Sequence, residues 1–220
     1  MFHPIDSDRW ERSEHYEHYM HTARCTYSMT VEIDITRLYA AVKARGLRLT
    51  PALIYLSARA VNSIENLRFD RDEQGRVGYH DVSHPSYTVF HPESRLFSVL
   101  WSEYSPHFPT FCAGVLRDVE RWGGCRELFP QRETPRNVHD FSAIPWVGFS
   151  SFNLNLYTSG DHLAPIITCG RFREEGGKKL LPLAIQLHHA VADGWHAAEY
   201  FRIVQELAGT PEEWMEPDRA

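Results

Sequence analysis

The sequence contains few cysteines, and they are widely spaced along the chain. Four of the 220 residues are cysteines, and they stand far apart at Cys25, Cys112, Cys125 and Cys169. No Cys-x-x-Cys pair occurs, which excludes the usual spacing of a zinc ribbon or a redox dithiol. We therefore expect unpaired thiols in a reducing compartment.

The chain also lacks long apolar runs and clusters of one charge. No stretch reaches the about 20 apolar residues that a membrane-spanning helix needs, and the opening MFHPIDSDRWERSEHYEHY is too polar for a secretory signal. Lys and Arg total 23 against 29 Asp and Glu, a net charge of -6 with no basic stripe. These features predict a cytoplasmic protein that binds neither nucleic acid nor a membrane.

Repeats, linkers and low-complexity segments are absent from the sequence as well. Hydrophobic residues make up 43% of the chain and charged residues 24%, which is close to the average for globular proteins. Pro and Gly are scattered as turn residues rather than gathered into a linker. A chain of this length can bury a large core, so we expect one domain over residues 1–220.

Helical patterns dominate the first part of the chain. Apolar residues at helical spacing predict helices over residues 8–21, 37–47, 50–67 and 109–122. Gly46 should end the second of these helices. Thr50 should cap the third, with Pro51 at its first position.

Strand patterns dominate the second part. Alternating or β-rich runs predict strands over residues 27–36, 151–157, 164–172 and 179–189, and a hairpin over 86–101 that turns at PES. The segment REEGGKK should form the turn before the last strand. Helices that come mainly early and strands that come mainly late predict an α+β fold, a two-layer α/β sandwich in which helices cover a mixed β-sheet.

One stretch near the end, QLHHAVADGWHAAEYF, concentrates the candidate chemistry. Alternation along LLPLAIQLHH places His189 on the same face as the leucines that precede it, with His188 on the other face. An Asp-Gly turn follows, and residues 195–209 predict a helix with Ala198, Phe201, Val204 and Ala208 on one face and Gly209 at its end. A strand-loop-helix corner is a common location for reactive groups.

The residues alone leave three interpretations of this corner open. His189 can be a hydrogen-bonded core histidine while Asp193 merely caps the helix. His188, His189, Asp193 and His196 can instead bind a metal, although adjacent strand residues face opposite ways. In the third interpretation His189 is a general base, since a neutral imidazole accepts a proton from a hydroxyl near pH 7.

The whole pattern resembles a known family. QLHHAVADGWHAAEYF is similar to the H-H-x-x-x-D-G signature of the trimeric chloramphenicol acetyltransferases, within the CoA-dependent acyltransferases. The segments RWERSEHYEHY, DIT, YTVFHPES, LFPQ, SAIPWVGFSSFNLN, APIIT and LLPLAIQLHHAVADG resemble family segments in the family's order. The H-x-x-x-D-G core alone would be less specific, because dihydrolipoamide acyltransferases and peptide-synthetase condensation domains share it.

The resemblance implies a role for each catalytic candidate. His189 would remove the proton from the primary hydroxyl of chloramphenicol, and Ser142 would stabilise the oxyanion that forms when that oxygen attacks acetyl-CoA. Asp193 would form a salt bridge with Arg12 that holds the loop. Acetyl-CoA would be a co-substrate, with no permanently bound cofactor and no metal.

The resemblance also implies a drug pocket shared between subunits of a homotrimer. Trp146 would contact the CoA arm. The residues implied for the acceptor pocket are Tyr19, Cys25, Tyr27, Phe97, Phe129, Leu154, His162, Ile166 and Thr168.

Some positions depart from the family pattern. Ala192 stands where cysteine is usual, Trp195 and Tyr27 where phenylalanine is usual, and His162 where tyrosine or phenylalanine is usual. The departures leave two other functions open besides inactivation of chloramphenicol. One is acetylation of another hydroxylated small molecule, and the other is non-catalytic binding of drug or CoA. A dihydrolipoamide acyltransferase core is less consistent with the sequence, because no lipoyl domain or Ala/Pro-rich linker is present.

Overall fold

The computed structural model describes residues 1–154, 156 and 162–215. Its strands are β1 (Phe2–Pro4), β2 (Thr26–Asp34), β3 (Phe69–Arg71), β4 (Val77–His80), β5 (His84–His91), β6 (Leu96–Trp101), β7 (Val138–Ile144), β8 (Ile166–Gly170), β9 (Arg173–Glu175) and β10 (Lys178–His188). Its α-helices are α1 (Ser13–Glu17), α2 (Thr36–Ala44), α3 (Leu49–Ser63), α4 (Phe108–Trp122) and α5 (Gly194–Gly209). Within the described ranges, no helix combines the length and apolar character that crossing a bilayer requires.

A large mixed sheet forms the centre of the fold. Its strand order is β2-β10-β8-β7-β5-β6, with β9 paired to β10. The β5–β7 and β7–β8 pairs are parallel, and the remaining pairs are antiparallel. A small antiparallel sheet has the order β1-β4-β3. This architecture confirms the predicted α+β class with a mixed sheet, and the strand order is information that periodicity alone did not provide.

The helices pack on one face of the large sheet. Helices α3 and α5 contact each other, and both contact strands of that sheet. Tyr55 and Leu56 of α3, Tyr200 of α5 and Ile185 of β10 are among the most buried core residues. Because residues 181–188 of β10 are all buried, this strand lies inside the fold on both faces, as a central strand does.

Several predicted boundaries were wrong. Helix α3 begins at Leu49, so Thr50 lies inside its first turn and does not cap it. Pro51 lies in the same turn, where its missing N–H removes no hydrogen bond of the helix. The same helix ends at Ser63, and a 3₁₀ turn follows at Glu65–Arg68. The first predicted helix contains only α1 and a π-helical turn at His18–Thr22.

Two further predictions need correction. Residues 151–154 form no strand, and residues 155 and 157 of that predicted segment lie outside the described residues. In α5, Ala198 is exposed, because the buried face of the helix consists instead of Ala197, Tyr200, Phe201, Val204 and Ala208. The hairpin of β5 and β6, helices α2 and α4, and strands β2, β8 and β10 are confirmed.

Candidate active site

The H-H-x-x-x-D-G segment lies at the corner between β10 and α5. The His189 backbone N–H donates to the Cys25 carbonyl at 2.9 Å, which extends the pairing of β10 with β2 by one residue. Ala190, Val191 and Ala192 follow in a fully buried loop. A buried loop needs internal hydrogen-bond partners for its backbone, and the neighbouring side chains supply several of them.

Arg12 is the main partner of this loop. Its Nε donates to the Ala190 carbonyl at 2.8 Å, and one terminal nitrogen donates to the His189 carbonyl at 2.9 Å. The guanidinium also donates to both Asp193 carboxylate oxygens at 2.6 Å. Arg12 therefore ties together the backbone of the candidate base and the N-terminal end of α5 with the planar donor set that arginine offers.

Asp193 occupies the N-cap position of α5 and is held as a carboxylate. The hydrogen bonds from Arg12 lower the pKa of Asp193 below its usual value, against the opposing effect of burial. The Arg12 side chain is 14% exposed and that of Asp193 is 35% exposed, so the pair is only partly shielded from water. Asp193 thus combines the capping position that the residues alone suggested with the ion pair that the resemblance implied.

The His189 ring is packed between aromatic side chains yet remains accessible. Tyr19 stacks on it at a centroid distance of 4.1 Å and an interplanar angle of 5°, and Tyr27 packs at 5.3 Å and 58°. The His189 side chain is 30% exposed. Stacking on one face limits the rotation of the ring, while the exposed part leaves room for a substrate.

Asp193 also influences the orientation of the His189 proton. The Nδ1 atom of His189 lies 2.9 Å from Asp193 Oδ1, but the two atoms lack the alignment of a hydrogen bond, so the contact is electrostatic. A carboxylate beside Nδ1 favours the tautomer protonated at Nδ1. That tautomer leaves Nε2 free to accept a proton.

The other two histidines of the segment have backbone partners. His188 is buried, and its Nδ1 accepts a hydrogen bond from the Ala190 N–H at 3.2 Å. His196 Nδ1 accepts one from the Asp193 N–H at 2.9 Å, and burial lowers the pKa of His196. In the part of the chain that the structure describes, no group of His, Cys, Asp and Glu side chains has an arrangement suited to a metal ion.

The implied acceptor residues fall into separate places in this chain. Cys25, Tyr19 and Tyr27 lie beside His189. Ile166 and Thr168 are buried in β8, on the other side of β10. The exposed members are Phe97, Phe129 and Leu154, together with the implied CoA residue Trp146, which packs edge-on against Phe90 at 4.5 Å.

Ser142 lies far from His189 within one chain. Ser142 of β7 is in register with Thr168 of β8, which is in register with Ala184 of β10. His189 stands five positions beyond Ala184, about 17 Å along the strand, and Ser142 is two strand spacings, about 10 Å, to the side. One chain therefore does not place both side chains around one small molecule.

His162 occupies a different pocket from His189. Its Nε2 lies 3.5 Å from Asp140 Oδ2. With Arg68, Asp70 and His80, among others, it lines a pocket of about 180 Å³. Within one chain, His162 therefore lies apart from Tyr19, Cys25 and Tyr27, the residues with which the resemblance associates it in a pocket shared between subunits.

Sequence reasoning missed two contributors to the corner. Asn66, in the 3₁₀ turn at Glu65–Arg68, donates from its side chain to the Val191 carbonyl at 2.7 Å. The two residues are 125 positions apart, and no local sequence pattern links them. The second contributor is the hydrogen bond that His196 accepts from the Asp193 N–H. The sequence could have predicted it, because His196 stands three residues after the N-cap, which is the spacing of a capping box.

Comparison with solved structures identifies the fold. A chloramphenicol acetyltransferase superposes with a TM-score of 0.84 at 21% identity, over 94% of this chain and 100% of the other. The dihydrolipoamide acetyltransferase of Azotobacter vinelandii superposes with a TM-score of 0.66 at 16% identity, over 87% and 84%. The chain therefore has the fold that these two acetyltransferases share.

Sequence comparison identifies the particular family. The chloramphenicol acetyltransferase family matches residues 1–207. A chloramphenicol acetyltransferase of Clostridium perfringens is 42% identical over 97% of this chain and 98% of its own, and one of Staphylococcus aureus is 40% identical over 97% and 99%. The chain belongs to the chloramphenicol acetyltransferase family.

Proposed function

We propose that this protein transfers the acetyl group of acetyl-CoA to the primary hydroxyl of chloramphenicol and so inactivates the drug. The observation that carries the proposal is the arrangement at His189. Its ring is stacked on Tyr19, its Nδ1 faces Asp193, and Asp193 is anchored by Arg12. This geometry prepares Nε2 to act as a base in a chain of the matching family.

The chemistry proceeds by direct transfer. His189 Nε2 takes the proton of the primary hydroxyl while the hydroxyl oxygen forms a bond to the thioester carbonyl carbon. The tetrahedral intermediate then breaks its C–S bond, and the CoA sulfur leaves with the proton that the imidazolium returns. The Asp193 carboxylate, 2.9 Å from Nδ1, stabilises the imidazolium that exists between these steps.

Ser142 is the proposed donor to the oxyanion. A hydroxyl aimed at the developing negative charge typically contributes about 10²–10³-fold to turnover. Because Ser142 and His189 lie so far apart in one chain, the Ser142 that serves a given His189 must come from another copy. The register between β7, β8 and β10 therefore supports active sites shared between subunits.

A homotrimer is the assembly that we propose for these shared sites. Large apolar side chains remain exposed in the single chain, among them Met29 and Val31 on β2, which is an edge strand of the large sheet. Trp195, in the first turn of α5, is 69% exposed. Such exposure is typical of surfaces that a partner covers.

Acetyl-CoA would lie on the side of the sheet that carries Trp146. An open groove is lined by residues of β2, by Gly148–Ser150, which follow Trp146 in the chain, and by Arg171–Glu174. Its size, about 880 Å³, suits an extended ligand arm. We propose that acetyl-CoA is only a co-substrate and that the protein has no permanently bound cofactor. Residues 1–220 would form a single acetyltransferase domain. We place the protein in the cytoplasm, because thiols such as its four free cysteines stay reduced there.

Release of free CoA thiol tests the proposed function. The native protein should release thiol from acetyl-CoA only when chloramphenicol is present, and His189→Ala should abolish this release. His15→Ala, at an exposed histidine of α1, is the matched control and should retain native activity. Drug binding by the native protein without thiol release would refute catalysis and favour the non-catalytic binder.

Another hydroxylated acceptor is the second candidate for the same chemistry. The observation that favours it is that Tyr27, which stands where the family usually has phenylalanine, packs directly against the His189 ring. Rates over a panel of primary alcohols would distinguish the two. A higher kcat/KM for any of them than for chloramphenicol would reassign the acceptor.

A further inference from the structure

The side chain of Asn66 contacts the loop that follows the candidate base. Its Nδ2 donates to the Val191 carbonyl at 2.7 Å. Val191 stands two positions after His189, in the loop Ala190–Ala192, and is only 1% exposed. Because a carbonyl oxygen can only accept, the amide nitrogen of Asn66 must be the atom that faces it.

Two side chains from distant parts of the chain satisfy the carbonyls of this segment. Arg12 donates to the carbonyls of His189 and Ala190. Asn66 donates to the next carbonyl, that of Val191. Since Val191 is buried, water cannot readily take the place of Asn66 as the partner of this oxygen.

Asn66 is held by a rigid part of the fold. It lies in the 3₁₀ turn at Glu65–Arg68, between Ile64 and Leu67, and the side chains of these two residues are buried in the hydrophobic core. The Leu67 N–H donates to the Ile64 carbonyl at 3.1 Å, which closes the turn around Asn66. A donor on such a support fixes its partner more precisely than a donor on a mobile loop.

Loss of the Asn66 donor would affect the position of His189. The Val191 carbonyl would be left unpaired in a buried place, which is unfavourable. The loop could relieve this only by shifting, and a shift at Val191 is transmitted over two peptide units to His189. A displacement of about 1 Å is enough to reduce turnover strongly when it moves a base out of its attack geometry.

We propose that Asn66 is a positioning residue for His189. Its hydrogen bond to Val191 holds the loop from the side of α3, while Arg12 holds it from the side of the N-terminal segment. This role rests on the proposed function, since it assumes that His189 is the base. Asn66 acts through the loop and touches neither substrate, so its loss should lower turnover and leave substrate binding unchanged.

Asn66→Ala tests this role, with Asn137→Ala as the matched control. Asn137 also donates from Nδ2 to one distant backbone carbonyl, that of Val82, at 2.9 Å, and this bond is part-buried like that of Asn66. Each variant loses one such bond, so each should lower the Tm by about 2–8 °C.

The two variants should differ in turnover. At a temperature where both are folded, the kcat of Asn66→Ala should fall about 10- to 100-fold, because the base is displaced. Asn137→Ala should keep the native kcat, since its partner lies outside the corner between β10 and α5. The dissociation constants for chloramphenicol and acetyl-CoA should be unchanged in both variants.

Hydrogen exchange reports on the loop without turnover. The amides of Val191 and Ala192 both donate to the His188 carbonyl at 3.1 Å. They should exchange about 5- to 30-fold faster in Asn66→Ala than in the native protein, and at the native rate in Asn137→Ala. Absence of thiol release from the native protein would refute the proposed function, whereas unchanged exchange in Asn66→Ala would refute the role of Asn66, so the two failures are distinguishable.

The kinetic results can also overturn the role of Asn66. A native kcat in Asn66→Ala would do so, and so would equal losses of kcat in Asn66→Ala and Asn137→Ala, because these would reflect general destabilisation. Asn66→Asp provides a second variant if Asn66→Ala does not fold, since it keeps the shape of the side chain but cannot donate. Its kcat should fall at least as far, and a native kcat in this variant would refute the need for a donor.

Discussion

Replacing Arg12 with methionine should destabilise the protein and disable His189 in one step. The substitution keeps much of the side-chain length but removes four hydrogen bonds, two to Asp193 and one each to the carbonyls of His189 and Ala190. Loss of one partner of a buried ion pair typically costs about 3–5 kcal/mol. Because the Asp193 side chain is 35% exposed and water can solvate it, we reduce the expected cost to about 2–3 kcal/mol.

Two measurements report on this variant. A loss of that size in a chain of this length should lower the Tm by about 4–12 °C. Turnover should fall by about 10²-fold or more, because a base displaced by about 1 Å loses its attack geometry. Arg12→Lys is the matched variant, since it retains the charge but not the planar donor set, and it should recover only part of both losses.

The reasoning would be refuted if Arg12→Met retained the native Tm and turnover. A normal Tm with reduced turnover would show that Arg12 positions His189 without stabilising the fold. The opposite result, a lower Tm with full turnover per folded molecule, would show that the loop holds His189 without Arg12.

Other predictions concern the shared site and the response to pH. Ser142→Ala should reduce turnover about 10²–10³-fold without a change in Tm. If each site takes Ser142 and His189 from two different copies of a closed ring, refolding Ser142→Ala with His189→Ala in a 1:1 mixture should restore about a quarter of native activity, because about a quarter of the sites then receive both native residues. No recovery in co-refolded mixtures would contradict shared sites. Burial lowers the pKa of His139 from 6.5 to about 3. Between these pH values the unfolded chain binds more protons than the folded chain, so the contribution of His139 to the free energy of unfolding should be complete above about pH 6.5 and should decline as the pH falls toward 3. His139→Gln should show a shallower decline of the denaturation midpoint over this range, and an identical slope would contradict the assignment.

Local patterns in the sequence were sufficient for much of the fold. Helix α4 has apolar residues at spacings of three and four, and the β5–β6 hairpin has two β-rich runs around a short polar turn. These signals depend on the period of a single element, which neighbouring residues determine. The same locality explains the errors, since Thr50 is a good cap by residue type but the helix begins one residue before it.

The candidate site was predictable as a motif and through its resemblance to a family. His189 was singled out by its place after an apolar strand and before an Asp-Gly turn. The partnership of Arg12 with Asp193 spans 181 positions, and no local pattern contains it. Only the resemblance suggested that pair before the structure showed the contact.

The sequence by itself determined the element types and the strand-loop-helix corner, because these depend on side-chain periodicity and turn chemistry over a few residues. The resemblance to a family then singled out His189 of that corner as the candidate base. Only the tertiary structure decided the order of the strands, the contact between Asn66 and Val191, and the separation of Ser142 from His189. These features arise from long-range strand pairing and from the packing of α5 and the N-terminal segment against the sheet. Such contacts depend on which surfaces meet, and that is a property of the folded chain as a whole.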